Sequence, residues 1–470
     1  MGSRVVVWFR RDLRIDDNRA LIAALSGTSS AILPVFVVDP KLIAMSAMRS
    51  SYMFAALRAL EQELGGRLNL IYDADPTAVV EFASSVGADE IYATSDFTPL
   101  GIAREKLIKE KANQSSIATK FGDSPYLIPP GRLAREQGGW YKVFTPFYKA
   151  LMKNGYEAPM DVDRSVLGRR IEVARRDEEA IVKLASTPLF DEAAFPASNS
   201  KALEQLSNFL VRSDGRYKEL RDFPAEEGTT KLSPALRFGV IHPRQIVDKT
   251  IDVPGGEPLV REVVWRDFYA NVLFQMPHTT WKNFNPNFDY IEVDSIDDPI
   301  KAAQFEAWKE GRTGYPIVDS AMRQLNETGW MHNRLRMIAA SFLVKDIHLP
   351  WQLGAKYFME HLLDGDIASN NHSWQWVAGS GTDAAPYFRI FNPIIQSEKF
   401  DPEGRFIRKF VPELDGISSK AIHDPYNRGE SGKYFEPILD HNEARNETLD
   451  RYQRLKDHFA DSETKTITRN

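Results

Sequence analysis

Residues 5–38 read VVVWFRRDLRIDDNRALIAALSGTSSAILPVFVV. The stretch opens on five strand-forming residues, Val5 to Phe9, and closes on a second apolar run, Ile32 to Val38. Between them, Asn18 to Leu25 carries apolar residues at helical spacing. A strand, a helix and a second strand in so short a span point to a parallel crossover, because antiparallel neighbours can be joined by a tight turn. The alternation continues with a helix over 50–64, a strand over 68–72, a helix over 77–86, a strand over 90–93 and a helix over 102–111. The expected fold is therefore an α/β domain with a doubly wound parallel sheet, spanning residues 1–128. No Gly-x-Gly-x-x-Gly follows the first strand, so the usual dinucleotide fingerprint is missing, and the occupant of the sheet's switch point is open.

The alternation then stops. Pro129, Pro130, Gly131, Gly138 and Gly139, a charged stretch over 169–179, and Pro188 and Pro196 mark residues 129–199 as a long connector with a few helices. From residue 200 strand signals nearly vanish. Helical spacing appears over 203–212, 243–249, 260–273, 302–309, 317–325, 333–345 and 355–363. An all-α domain over 200–458 is expected, followed by a short polar tail, 459–470. The chain's 470 residues, 43% hydrophobic and 11% aromatic, can fill more than one core.

Composition removes several classes of chemistry. With no cysteine there are no disulfides, thiolate nucleophiles or zinc–thiolate sites, and redox work must fall to a bound cofactor or to aromatic side chains. The nine histidines show no His-Glu-x-x-His spacing, which argues against a metal-dependent hydrolase. There is no run of about 18 uncharged apolar residues, and Arg4 and Arg10 crowd the first apolar run, so neither a membrane span nor a signal peptide is expected. A soluble, cytoplasmic protein follows as the expectation. The net charge of −6 does not suit a protein that coats nucleic acid over its whole surface. Local basic patches remain open at Arg212, Arg216, Lys218 and Arg221, at Arg334 and Arg336, and at Arg405, Arg408 and Lys409, each equally readable as solvated charge.

The chemistry concentrates in residues 364–376, DGDIASNNHSWQW. On a helix, Asp366, Asn370 and Trp374 share a face, while Trp376 lies about 200° round from Trp374. Acids and amides are costly to bury alone, so a ligand or a cation should meet them. A helix cap followed by core packing would explain one Asp and one Trp. Upstream, Asn333, Arg336, Met337 and Ala340 fall on one face, and an arginine facing Asp364 would supply the cation; a core helix with one salt bridge is the plainer reading. Thr229, Thr230 and Ser233, leading into Pro234, could hold phosphate oxygens or simply start a helix. Glu262, Arg266 and Tyr269 share a face with Trp265 beside them, as a site or as a surface ion pair with an aromatic anchor.

In this order the segments closely resemble the photolyase and cryptochrome family, most specifically the class I cyclobutane pyrimidine dimer photolyases. The likeness runs from Trp8-Phe9-Arg10-Arg11-Asp12-Leu13-Arg14 to His441-Asn442-Glu443-Ala444-Arg445. It is densest at Thr313 to Asp319, Trp330 to Met337, Asp364 to Trp376, and Phe388-Arg389-Ile390-Phe391-Asn392-Pro393. The resemblance implies FAD in the helical domain, gripped by Tyr217, Thr229, Thr230, Leu232 and Ser233. Arg336 paired with Asp364, together with Asp366, would line the flavin ring, with Asn370 at its N5. The arginine would favour the anionic reduced form. Trp374 and Trp351 would carry electrons. Glu262, Trp265, Asn333, Met337 and Trp376 would form the pocket for a flipped-out dimer, and Arg221, Glu262, Trp265, Arg266, Asn333, Arg334 and Gln396 would contact DNA.

The implied activity is a carbon–carbon lyase reaction: light-driven splitting of pyrimidine dimers in UV-damaged DNA by an electron from photoexcited reduced FAD. A monomer with no obligate protein partner is expected. Arg49 matches an arginine of deazaflavin-binding members, which favours deazaflavin over folate as antenna and leaves another flavin, or no antenna, open. Two departures stand out. The family's outermost electron-carrying tryptophan has no counterpart between Tyr290 and Lys301, and His372-Ser373 stands where glycine is frequent. His372 is expected to be neutral and exposed. A cryptochrome is the nearest rival, disfavoured by the short tail and the intact lesion pocket. A (6-4) photolyase is disfavoured because Asn333 and Met337 occupy the face where that group carries a histidine pair.

Overall fold

The computed structural model describes residues 3–384 and 389–467, with side-chain surroundings as far as residue 460. Phe388 of the Phe388–Pro393 motif and the last three residues of the expected tail lie outside the described residues. The chain forms two compact units. One comprises residues 1–218, 229–277 and 363–366, and the other residues 219–228, 278–362 and 367–470.

The first unit is built on a five-stranded, all-parallel sheet. Strands β1 (Arg4–Phe9), β2 (Ala31–Val38), β3 (Asn69–Tyr72), β4 (Ala88–Thr94) and β5 (Ala118–Gly122) lie in the order β3-β2-β1-β4-β5. The four expected strands are present, and β5 is the one that sequence reading missed. Its burial alternates between exposed and intermediate, as befits a short edge strand with no apolar run to announce it. Helices α1 (Arg19–Ser26), α2 (Ala47–Glu63), α3 (Ala78–Ser85) and α4 (Pro99–Gln114) form the crossovers. Their starts follow from capping: Asn18, Ser46 and Thr98 accept the amides of Leu21, Arg49 and Gly101. Val6, Trp8, Leu33, Val35, Ile71, Phe82, Ile91 and Ile108 pack into one core.

Residues 129–199, read as a connector, belong wholly to this unit. Ile171 and Arg176 make isolated parallel bridges to Ile32 and Leu70. The buried Asn69 accepts the amides of Ala174 and Arg175 at 2.6 and 3.0 Å and donates to the carbonyls of Pro34 and Glu172 at 2.9 and 3.2 Å. The first helices of the expected helical domain also fall here: α5 (Asn199–Ser213), α6 (Ser233–Arg237), α7 (Pro243–Thr250) and α8 (Glu257–Gln275). Arg244 of α7 ties them to the sheet. It meets Asp123 in a two-point pair at 2.8 and 2.9 Å and Asp17 at 3.1 Å, and these contacts outweigh burial to raise its pKa.

The second unit is helical among its described residues: α9 (Pro299–Glu310), α10 (Pro316–Thr328), α11 (Asn333–Lys345), α12 (Trp351–His361), α13 (Ile367–Ala378), α14 (Pro393–Phe400), α15 (Arg405–Phe410) and α16 (His441–Ile467), with short 3₁₀ turns. The last helix runs through most of the segment expected to be a polar tail. The run Thr313–Asp319 is a structural clamp. Asp319, fully buried, accepts the Thr313 amide at 2.7 Å, its hydroxyl at 2.6 Å, the Gly314 amide at 3.1 Å and the Tyr434 hydroxyl. Gly314, at φ +81°, has no room for a side chain, since a Cβ would sit 2.5 Å from Pro437.

Asp267 on α8 ties segment 125–128 to this helix by accepting the Leu127 amide at 2.8 Å. Burial raises its pKa to about 7, against the opposing influence of Arg266 and the backbone amides. A carboxyl raised on folding stabilises fully below its unfolded pKa near ~4, and loses that contribution as pH rises through its folded value. Asp267→Asn, which keeps the acceptor oxygen, is therefore expected to flatten the fall in unfolding free energy between about pH 4 and 7 by roughly 4 kcal/mol. Parallel pH dependences in denaturant titrations of the two proteins would contradict this.

Candidate functional site

The first unit supplies Tyr217, Thr229, Thr230, Leu232 and Ser233. Tyr217 is buried edge-on against Phe209 at 5.9 Å. Gln205 donates to the Thr230 carbonyl at 2.6 Å, Lys231 holds a left-handed φ of +53°, and Leu232 is buried. This pinned turn carries the threonine pair into α6, which opens at Ser233. The segment Leu363–Asp366 belongs to the same unit. Asp366 is met by Arg11, at 2.6 Å, with Asp96 3.8 Å from the same guanidinium. Burial opposes the charge on Arg11, but Tyr126, Asp366 and Asp96 hold it protonated. Arg237 donates to the Gly365 carbonyl at 2.7 Å, fixing the backbone between Asp364 and Asp366. Sequence spacing gave no sign of Arg11, which lies 355 residues from its partner.

Helix α8 presents Glu262, Trp265 and Arg266. Trp265 stacks on Phe144 with ring centroids 3.8 Å apart and planes within 5°. One face of the indole is thus covered by a residue from the expected connector, and Trp265 stays half-buried. Arg266 donates to the carbonyls of Pro125 at 2.6 Å and Leu236 at 3.2 Å and lies 4.5 Å from the Tyr126 ring centroid. Arg49 on α2 is buried, and burial lowers its pKa.

In the second unit, α13 resolves the polar residues of 364–376. Asn371 donates to the Thr280 carbonyl at 2.6 Å. Gln375 donates to the Thr279 carbonyl at 2.9 Å and accepts the Phe284 amide at 2.8 Å. His372 meets the Thr279 hydroxyl at 2.9 Å and the Ala368 carbonyl at 2.7 Å. The expectation that His372 is exposed is corrected: only 1% of it is accessible, because it fastens segment 279–284 to the helix. The expectation of a ligand or cation for these groups is likewise corrected for Asn371, His372 and Gln375, which protein groups satisfy. Asn370 differs. Its amide nitrogen is spent on the Ala355 carbonyl at 3.0 Å and the Asn371 oxygen at 2.8 Å, so its own oxygen is the acceptor left over.

Trp374 is buried against Phe358 and Trp308, with centroids 5.0 and 6.2 Å away. Gly354 makes the space: a Cβ there would lie 2.1 Å from the Trp374 ring. Trp376, half-buried, packs against the same core. Trp351 is buried and donates its indole N–H to Asn283 at 3.0 Å. It lines a cavity of about 180 Å³ with Ile291, Glu292 and Val293, from the segment that lacks a tryptophan.

A second cavity, of about 360 Å³, is lined by Asp222, Arg334, Met337, Arg389, Gln396 and Lys399, among others. Arg334 is held by Asp222 at 2.8 Å and lies 4.4 Å from the Phe400 ring centroid. His332 caps α11 by accepting the Arg334 amide at 3.2 Å, and burial pushes its pKa down to about 4, which keeps it a neutral acceptor. Arg336 donates to the Met331 carbonyl at 2.8 Å. Asn333 is exposed at the start of α11, and Arg221 is half-buried. Asp222, Arg389 and Lys399 were missed in the sequence, though Arg389 stands in a motif singled out there. In the third basic run, Arg405 pairs with Glu226 and Arg408 donates to the Ile417 carbonyl at 2.6 Å, so both serve local structure.

A family model described as DNA photolyase matches residues 5–163, and one described as the FAD binding domain of DNA photolyase matches residues 259–454. The chain is 38% identical to the deoxyribodipyrimidine photo-lyase of Escherichia coli, over 95% of this chain and 98% of the relative. It is 37% identical to that of Vibrio cholerae, over 96% and 99%. Among solved structures, a class III photolyase from Agrobacterium tumefaciens superposes with a TM-score of 0.88 at 35% identity, covering 97% of this chain and 98% of that one. A Synechocystis cryptochrome superposes at 0.85 with 25% identity, over 96% and 99%. These likenesses resolve the family rather than the class within it. The chain belongs to the DNA photolyase family.

Proposed function

We propose that this protein repairs cyclobutane pyrimidine dimers in UV-damaged DNA, using light and bound FAD, as a deoxyribodipyrimidine photo-lyase. What carries the reading is the likeness to proteins of that name over nearly the full length of both chains. The cryptochrome neighbour shares the fold, and fold alone does not select between repair and signalling. The cavity with three basic side chains against Glu219 and Asp222 favours repair, because its lining includes Arg334 and Gln396, expected at DNA, and Met337, expected at the lesion.

The residues fit a flavin in chemical kind. The hydroxyls of Thr229, Thr230 and Ser233 suit pyrophosphate and ribitol oxygens, and the left-over acceptor of Asn370 suits a ring N–H. Tyr217, Leu232, Arg336, Asp364 and Asp366 complete the proposed set. Bound reduced FAD supplies, on absorbing light, the single electron that opens the cyclobutane ring and then recovers it. The chain's own residues bind and orient. Trp265 and Trp376 are assigned the aromatic contacts to the extruded dimer, and Glu262, Asn333 and Met337 the remaining contacts to it. Extrusion costs a few kcal/mol and is least costly where a lesion already disturbs stacking. Arg221, Arg334 and Gln396 meet the DNA, and Arg266, held by two carbonyls, contributes the field of its charge. Trp374 and Trp351 serve electron supply. Arg49 is the residue proposed for an antenna, with deazaflavin favoured over folate.

The test is UV-irradiated oligothymidylate, illuminated with the flavin-loaded protein under reducing conditions: monomeric thymine should be recovered in the light and not in the dark. Bound flavin without recovery would shift the assignment to signalling or to another photoproduct. Arg334→Ala is expected to weaken binding of the damaged oligonucleotide and to reduce the salt dependence by about one phosphate contact; an unchanged slope in a salt titration would remove Arg334 from the phosphate contacts. Asn370→Ala is expected to speed reoxidation of the reduced flavin in air, and native reoxidation kinetics would count against its role.

A further inference from the structure

Ring contacts mark a path that the Trp374–Trp351 assignment does not include. Among the described residues Trp351 makes no aromatic ring contact; its cavity is lined also by Phe288 and Tyr452, but Tyr452 is buried, with its ring 6.0 Å from that of Phe288 and its hydroxyl on the Ala378 carbonyl. From Trp374, by contrast, the contacts continue. Trp308, fully buried on α9, lies edge-on at 6.2 Å, with its indole N–H on the Ala339 carbonyl at 3.0 Å. Tyr357 on α12 meets Trp308 edge-on at 5.8 Å. His361, one turn further along α12, stacks on Tyr357 at 4.0 Å with its Nδ1 on the Tyr357 carbonyl at 2.9 Å. The half-buried Tyr357 hydroxyl lies 2.8 Å from the side-chain oxygen of the exposed Asn326 and 3.2 Å from the Lys309 carbonyl.

We propose that Tyr357 is the surface terminus of a second branch of the electron supply, which feeds Trp374 through Trp308 in addition to Trp351. The inference rests on the proposed function, with light-excited oxidised flavin as the one-electron oxidant of Trp374. Trp308 gives one electron to oxidised Trp374, and Tyr357 gives one to oxidised Trp308. The phenol releases its proton along the Asn326 hydrogen bond to solvent, leaving a neutral tyrosyl radical. A thiol in solution returns one electron and one proton to Tyr357 and is itself oxidised. Net, one electron has moved inward and one proton has left the thiol. Loss of the phenolic proton makes the tyrosine a sink, because the neutral radical cannot pass its hole back without regaining a proton. Burial, with Glu306, Glu310 and Glu360 nearby, raises the Tyr357 pKa to about 12, so the phenol holds that proton at neutral pH until it is oxidised.

Tyr357→Phe tests the route while keeping the ring, its contact with Trp308 and its stacking on His361. Freeze-trapped electron paramagnetic resonance of the illuminated, oxidised holoprotein should show a tyrosyl signal in the native chain and in Trp351→Phe, and lose it in Tyr357→Phe. Thiol-dependent photoreduction should slow in Tyr357→Phe and in solvent D₂O. An unchanged tyrosyl signal and photoreduction rate in Tyr357→Phe, or their loss in Trp351→Phe instead, would overturn the route. Repair by holoprotein reduced chemically in the dark, measured on the same preparations, reports the functional reading separately. Its absence in the native chain overturns the functional reading alone, whereas its presence alongside an unaffected Tyr357→Phe overturns the route alone.

Discussion

The candidate site of the second unit depends on how one helix, Ile367–Ala378, satisfies its buried polar side chains. A buried polar group left unmatched costs roughly 1–3 kcal/mol, so Asn371, His372 and Gln375 together set a strong constraint on how the helix sits. All three meet segment 279–284. With that face committed, helical geometry carries Trp374 into the aromatic core and turns Asn370 toward the Ala355 carbonyl. Gly354 completes the arrangement by leaving the volume that the Trp374 ring fills. Asn370 and Trp374, the residues proposed to act at the flavin, are thus held by neighbours that fix the helix.

Charge follows a similar logic. The chain is acidic overall, yet Arg334, Arg389 and Lys399 share one cavity lining in the second unit. Asp222 holds Arg334 in place, and with Glu219 it sets two carboxylates against the three cations of that lining. In the first unit Arg11 and Arg237 fix the short Asp364–Asp366 segment, one through a carboxylate and the other through a backbone carbonyl. Arginine suits both tasks, since its fork keeps its charge even when buried.

The parallel sheet was legible because strand and helix periods alternate cleanly over the first ~110 residues. Strand β5 was not, since an edge strand exposed on one face and only half-buried on the other carries no apolar run. The motif Asp364–Trp376 stood out in the sequence as a concentration of polar and aromatic groups, but its inner logic did not. Spacing could show that Asn371 and His372 needed partners, and could not show that residues 279–284 would provide them. The same limit hid Phe144 behind Trp265, Arg11 beside Asp366 and Asp222 beside Arg334. Each of these lies far along the chain from, or in an unremarkable stretch beside, the residue it positions. For residues 129–199, Pro and Gly content marked a connector and could not show that Asn69, a polar residue in a strand, hydrogen-bonds part of this segment to the sheet.

The proposed function divides two tasks, with lesion and DNA recognition assigned to one set of residues and electron supply to Trp374 and its neighbours. Once the flavin is reduced, repair should not need the supply. Single-flash repair of a UV-irradiated oligothymidylate by holoprotein reduced in the dark, compared between the native chain and Trp374→Phe at equal flavin content, tests this most directly. Equal dimer loss per flash in the two proteins, with none in the dark, is the predicted result. Repair abolished in Trp374→Phe, or absent from the native protein despite bound reduced flavin, would contradict it.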